Sequence, residues 1–262
     1  MWAVDEAAWL DSHTLLVGLA ESHDNANSQG AVGHLALVDV TSGKQQDLSI
    51  SVDGYSQPTI TPDGTILYNT SNGILMAWRD GQAQPFPLGA VKLEDKTLYT
   101  VSRPAFSPDG KTLVGLTTAW QGNESLPAFV LVNLTAHTGQ MILTYHGIPT
   151  DARIPTKIAW SPDSQWVAID SIDYDPIQNG VSLVSADGQQ RIFLGSGSSN
   201  PVWLDSETVV FSYSTWGLTR LQTYNLTTQI RCWLDLPAGV WNQSNGRGLP
   251  SVSAVLFPQT LP

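Results

Sequence analysis

Trp120, Trp241, Arg103, Arg153 and Arg247 are the residues of this chain best suited by type and position to hold a partner, because each falls in a long polar connection. Tryptophan buries a large rigid surface at little entropic cost, and the guanidinium offers a planar fork of donors. They stand in an acidic chain, with 12 basic against 23 acidic residues and a net charge of −11. Asp173 and Asp175 add the densest acidic stretch together with Asp170. Carboxylates at alternate positions are the ligands of calcium loops, but the glycine and terminal glutamate of such a loop are missing. The stretch reads as a solvated acidic loop on a binding face, and no metal or cofactor is called for.

No catalytic signature accompanies these residues. The sequence contains no nucleophile elbow, phosphate-binding loop or dinucleotide fingerprint, and none of its serines lies beside a local base. Its five histidines show no pair at metal-ligand spacing. Two carboxylates distant in sequence can still act together, as in glycosidases. The expectation is therefore a non-catalytic binding or scaffold module with a protein partner. The alternative is an enzyme acting on carbohydrate or peptide, which makes a small-molecule or carbohydrate ligand the second choice.

Basic residues are scattered without a run, so the electrostatic footprint of a nucleic-acid binder is missing. No apolar run is long enough for a membrane-spanning helix. Cys232 is the only cysteine, which excludes an internal disulfide, and its apolar surroundings predict a buried, inert thiol. Only 13 % of residues are charged. That composition resembles extracytoplasmic proteins, whether periplasmic, secreted or the ectodomain of a larger chain.

Five repeated turns must position the candidate residues. Leu10-Asp11-Ser12, Thr61-Pro62-Asp63-Gly64, Ser107-Pro108-Asp109-Gly110, Ser161-Pro162-Asp163-Ser164 and Leu204-Asp205-Ser206 each join two short apolar segments. Their aspartates recur at roughly 42 to 54 residues, the interval of four-stranded propeller blades. In the third repeat, Pro104-Ala105-Phe106 enters the turn and Thr112-Leu113-Val114 leaves it, followed by Ala128–Val132 and Gln140–Thr144. Proline presets the turn, aspartate bonds its own downstream backbone and glycine accepts a positive φ. Trp9, Ile60, Phe106, Trp160 and Trp203 occupy one place in the repeat, just before the turn, and are predicted to pack between blades.

These turns resemble those of the TolB-like, WD-repeat-like β-propeller family, in which an inner strand ends in a Ser-Pro-Asp-Gly turn. Ser107 to Gly110 match completely, the turns at Thr61 and Ser161 differ at one position each, and the first and fifth keep only the aspartate. The resemblance implies an all-β fold over residues 1–262, a single propeller domain of four-stranded antiparallel blades with five recognisable blades. Val252–Pro258 reads as the first strand of an incomplete sixth. So few residues precede Ala7 that the expected ring is either closed irregularly or the C-terminal part of a longer chain. Long connections, among them 89–103, 119–127, 145–157, 171–180 and 237–250, all fall on the face opposite the aspartate turns, where binding is expected.

Overall fold

A computed structural model describes residues 2–21, 32–53, 58–61, 63–70, 74–86, 88, 91–93, 96–98, 101–121, 124–144, 157–171, 179–215 and 218–234. Among these residues all regular structure is strand, arranged in five sheets. The first sheet holds β1 (Trp2–Trp9), β2 (Thr14–Glu21), β3 (Val32–Asp39) and β4 (Gln45–Asp53). The second holds β5 (Thr59–Ile60), β6 (Ile66–Asn69), β7 (Leu75–Arg79) and β8 (Gln82–Pro85). The third comprises β9 (Val91–Leu93), β10 (Lys96–Leu98), β11 (Ser102–Phe106), β12 (Thr112–Gln121), β13 (Glu124–Asn133) and β14 (Thr138–Thr144). The fourth has β15 (Ile158–Trp160), β16 (Trp166–Ser171), β17 (Gly180–Ser185) and β18 (Arg191–Ser196). The fifth has β19 (Ser198–Trp203), β20 (Thr208–Thr215), β21 (Leu218–Asn225) and β22 (Arg231–Trp233). Four of the sheets are antiparallel meanders in chain order.

The chain divides into two compact units, Met1–Ala119 with Ala128–Thr144, and Trp120–Pro127 with Tyr145–Pro262. In the first unit Leu16, Leu35 and Ile50 of the first sheet meet Ile66 and Tyr68 of the second. Leu67, Leu75 and Ala77 of the second sheet share a further core with Phe106, Leu113 and Val130 of the third. In the second unit Val181, Leu183 and Leu194 pack against Trp203, Val209 and Phe211. Sheets that follow one another in sequence thus bury apolar faces against each other within each unit, where most of the stabilisation resides.

The repeated turns explain themselves at the atomic level. The Ser107 Oγ hydrogen-bonds the Asp109 carboxylate at 2.7 Å and accepts the Thr112 N–H at 3.0 Å. Ser161 does the same toward Asp163 at 2.6 Å and the Trp166 N–H at 2.9 Å. Where the motif is reduced, the aspartate alone carries the turn: Asp11 accepts the N–H groups of His13 and Thr14, and Asp205 those of Glu207 and Thr208. The position of Gly64 and Gly110, with φ of +81° and +70°, is taken by Ser164 at +63° in the fourth sheet. Hydrogen bonds from His13 hold Asp11 below the usual carboxylate range, as those from Thr61 do for Asp63. These groups add stability that is present above about pH 4 and lost as pH falls further.

Ser107→Ala is expected to cost about 1–3 kcal/mol, because the Thr112 N–H loses its hydroxyl partner in a buried turn. Thr61 fills the same role in the second sheet, so Ser107→Thr should restore most of the loss in urea unfolding. Equal stability of the Ala and Thr variants would refute this account.

Four sequence expectations are corrected. The third sheet has six strands instead of four, because the connection 89–103 supplies a β9–β10 hairpin that pairs in parallel with the outer strand β14. Val91 and Leu93 are buried with Lys92 exposed between them, and Gly139 leaves the room Val91 needs: a Cβ there would sit 3.1 Å from Val91 Cγ1. The connection 119–127 is likewise strand, the end of β12 and the start of β13. Cys232 is exposed, because β22 is the outermost strand of its sheet and buries none of its three residues. Trp9 is 39 % exposed whereas Trp203 is 3 % exposed. Trp203 leans on the preceding sheet and donates its indole N–H to the Ala159 carbonyl at 2.9 Å, whereas among the described residues of its unit no sheet stands before the first.

Candidate functional site at the loop end of the fourth and fifth sheets

In the meandering sheets the second-to-third strand connection leaves from the end opposite the aspartate turns. The connections 22–31, 145–157 and 172–179 emerge there, while the aspartate-turn ends are closed by short bends. At the aspartate-turn ends the backbone satisfies itself. Asp39 accepts Thr41 and Ser42 N–H groups, Asn133 those of Thr135 and Ala136, and Asp187 that of Gln189.

The opposite end of the fourth sheet is built differently. β16 runs from its turn toward the long connections and places Asp170 one residue before its end. Across the strand Asp170 is in register with Val181 of β17. Its backbone N–H donates to the Lys157 carbonyl at 2.8 Å, and its carboxylate Oδ2 accepts the Asn200 N–H of β19 at 2.8 Å. Asn200 holds a φ of +52°, uncommon for a residue with a side chain, which aims its N–H at the carboxylate. Burial drives the Asp170 pKa up to about 6, against the Asn200 hydrogen bond and the Lys157 charge, which both pull it down. Asp170 is therefore not part of a solvated acidic loop, as its sequence neighbours suggest. It is a half-buried carboxyl that ties β16 of the fourth sheet to β19 of the fifth.

The same junction is held by backbone approach. Ser198 Oγ donates to the Gly195 carbonyl at 2.6 Å and accepts the Val181 N–H at 2.8 Å. Gly197 is the single residue between β18 and β19; its N–H donates to the Asn179 carbonyl and its carbonyl accepts the Ser214 N–H.

Of the residues singled out in the sequence, Arg103 lies in β11 and Trp120 in β12, on strands rather than on loops. Arg153, Asp173, Asp175, Trp241 and Arg247 lie outside the described residues, as does Val252–Pro258. The roots of two connections are nevertheless fixed. The segment carrying Arg153 enters β15 through Lys157, and the segment carrying Asp173 and Asp175 leaves from Ser171, so the Asp170–Lys157 hydrogen bond joins both roots. A carboxyl that changes charge near pH 6 can pass a proton at neutral pH or offer an acceptor to a bound group. Among the described residues no group of three His, Cys, Asp or Glu side chains is placed to hold a metal, and no helix is long and apolar enough to cross a membrane.

The sequence matches no known family pattern and no characterised protein. Its fold has clear counterparts among solved structures. An oligogalacturonate lyase in complex with manganese superposes with a TM-score of 0.56 at 14 % identity, over 86 % of this chain and 62 % of the other. TolB from Acinetobacter baumannii gives 0.51 at 17 %, over 83 % and 52 %, and a putative TolB from Agrobacterium tumefaciens 0.53 at 16 %, over 78 % and 70 %. The chain thus spans less than two thirds of the first two proteins. At these identities the likeness establishes the fold alone, an all-β architecture of the TolB-like propeller kind.

Proposed function

We propose that this chain is a binding propeller, a single domain whose sheets act as blades and whose loop end captures a protein partner in an extracytoplasmic setting. The observation that carries the reading is the unequal construction of the two ends. One end is closed by short turns that satisfy their own hydrogen bonds, and at the other the connections 145–157 and 172–179 start from the Lys157–Asp170–Asn200 junction. Rigid scaffolds that present their longest connections on one side use that side for recognition. The similarity to TolB proteins supports a binding role without requiring it. Arg153, Asp173, Asp175, Trp241 and Arg247 are the proposed contacts, with Arg103 and Trp120 as strand-borne additions.

The test is capture by immobilised protein, wild type against a Trp120→Ala/Trp241→Ala double variant, with bound proteins identified after cross-linking. Unchanged thermal stability with at least about a tenfold loss of one specific captured protein is the expected result. Equal capture by both would place recognition elsewhere. One observation favours a second reading, a propeller enzyme acting on carbohydrate or peptide: the raised pKa of Asp170 at the loop end. Turnover of a glycoside, ester or peptide substrate that vanishes in Asp170→Asn would replace the binding reading with that one.

A further inference from the structure

The outer strands of the fifth sheet carry chemistry that neither the turns nor the Lys157–Asp170–Asn200 junction uses. Register sets Phe211, Gln222 and Trp233 side by side across β20, β21 and β22, with Tyr213 opposite Arg220 and Tyr224 opposite Arg231. All of these residues share one face, and its inner part packs against the fourth sheet. Toward the rim the Arg231 guanidinium lies over the Phe211 ring at 5.6 Å and the Arg220 guanidinium over Trp233 at 5.7 Å. Tyr213 meets Trp233 edge-on at 6.2 Å.

Three features of this face point outward. Trp233 is 51 % exposed, a large aromatic surface left open beside the packed rings of Phe211 and Tyr213. Arg220 and Arg231 are exposed and have no carboxylate partner among the described residues, a local reversal of sign on a chain of net charge −11. Gln222 is 5 % exposed, yet its Oε1 has no hydrogen-bond partner. Buried acceptors are almost always paired, so an unpaired one beside this rim departs from the rule. β22 also ends its sheet among the described residues, leaving main-chain groups along its outer edge.

We propose that this rim, formed by Arg220, Gln222, Arg231 and Trp233, binds an extended acidic peptide segment of a partner protein. Carboxylates fit the planar guanidinium forks of Arg220 and Arg231. Trp233 provides the anchor, and an extended segment can add along the β22 edge. This surface uses none of the residues proposed as loop-end contacts, so the inference stands or falls independently of the loop-end reading.

The experiment uses two labelled synthetic decapeptides, one alternating Glu and Ser and one alternating Gln and Ser, titrated into the full chain by fluorescence anisotropy at low ionic strength. The acidic peptide is expected to bind at least about tenfold tighter than its neutral counterpart, with the difference shrinking as salt is added. Arg220→Gln/Arg231→Gln should abolish the difference, and Trp233→Ala should weaken both peptides. Trp120→Ala/Trp241→Ala should change neither. If the Gln pair fails to fold by near-ultraviolet circular dichroism, Arg220→Lys/Arg231→Lys replaces it and is expected to bind the acidic peptide more weakly than the parent. Absence of binding, a preference that survives loss of both guanidiniums, or equal binding by the Lys pair would overturn the proposal. Displacement of the peptide by a uronate oligosaccharide of matched charge, at equal concentration, would overturn the assignment to peptide.

Discussion

Asp170→Asn is expected to make the protein more stable at about pH 7.5, by about 2–3 kcal/mol, and to leave its stability near pH 4 almost unchanged. Burial raises the folded-state pKa of Asp170 from 3.8 to about 6, so between these values the folded chain holds a proton that the unfolded chain has released. Stability from this group is therefore greatest below about pH 4 and is lost as pH rises through 6, the reverse of the turn aspartates. Asparagine keeps an acceptor for the Asn200 N–H while removing the charge whose burial is costly. Urea unfolding of parent and variant at the two pH values checks the sign. A variant weaker than the parent at about pH 7.5, or stabilised equally at both, would show that the carboxylate is not destabilising in its folded surroundings.

The second large effect belongs to Gly197→Ala, expected to lower the unfolding free energy by about 2–4 kcal/mol. Gly197 has a φ of +85°, and a Cβ there would lie 2.5 Å from the Ser214 carbonyl oxygen. That oxygen is backbone of β20 and cannot swing aside, so relief requires the link between β18 and β19 to shift against β20. Gly43→Ala is the matched control, since Gly43 also has a positive φ, +68°, but no atom within 4 Å of an added Cβ. It should lose only the conformational part, about 1–2 kcal/mol. Equal losses in the two variants would mean that the contact with Ser214 contributes nothing.

Much of the fold was legible because each Asp turn is a local device. Ser107, Asp109 and Thr112 interact within six residues, so their spacing alone predicts a hairpin. Even the degenerate turns at Asp11 and Asp205 keep the one side chain whose hydrogen bonds close the bend. A further example passed unnoticed: Ser185-Ala186-Asp187-Gly188 joins β17 to β18 with the same hydroxyl-to-carboxylate bond, without the proline that draws the eye. What escaped the sequence depends on partners distant along the chain. Trp9 and Trp203 stand at equivalent repeat positions, and only the presence of a sheet on one side separates their burial. Cys232 sits among apolar residues, yet nothing local says that its strand is the last in its sheet. Asp170 reads as a neighbour of Asp173 and Asp175, whereas its surroundings are set by Lys157 and Asn200. The pair Gln222 and Trp233 likewise becomes a site only through the register of β21 with β22.

The hairpin annexed by the third sheet bears on how the chain comes off the ribosome. The strand that carries Val91 and Leu93 pairs through Lys92 and Leu93 with Thr138 and Gly139, about 46 residues later in synthesis, several seconds at ordinary translation speeds. During that interval the first two sheets can assemble, while the two apolar side chains wait uncovered and the hairpin stays a pending connection. A pause in translation between the two segments would prolong that exposure, and a nascent chain stalled there would offer chaperones an apolar strand that the finished protein conceals.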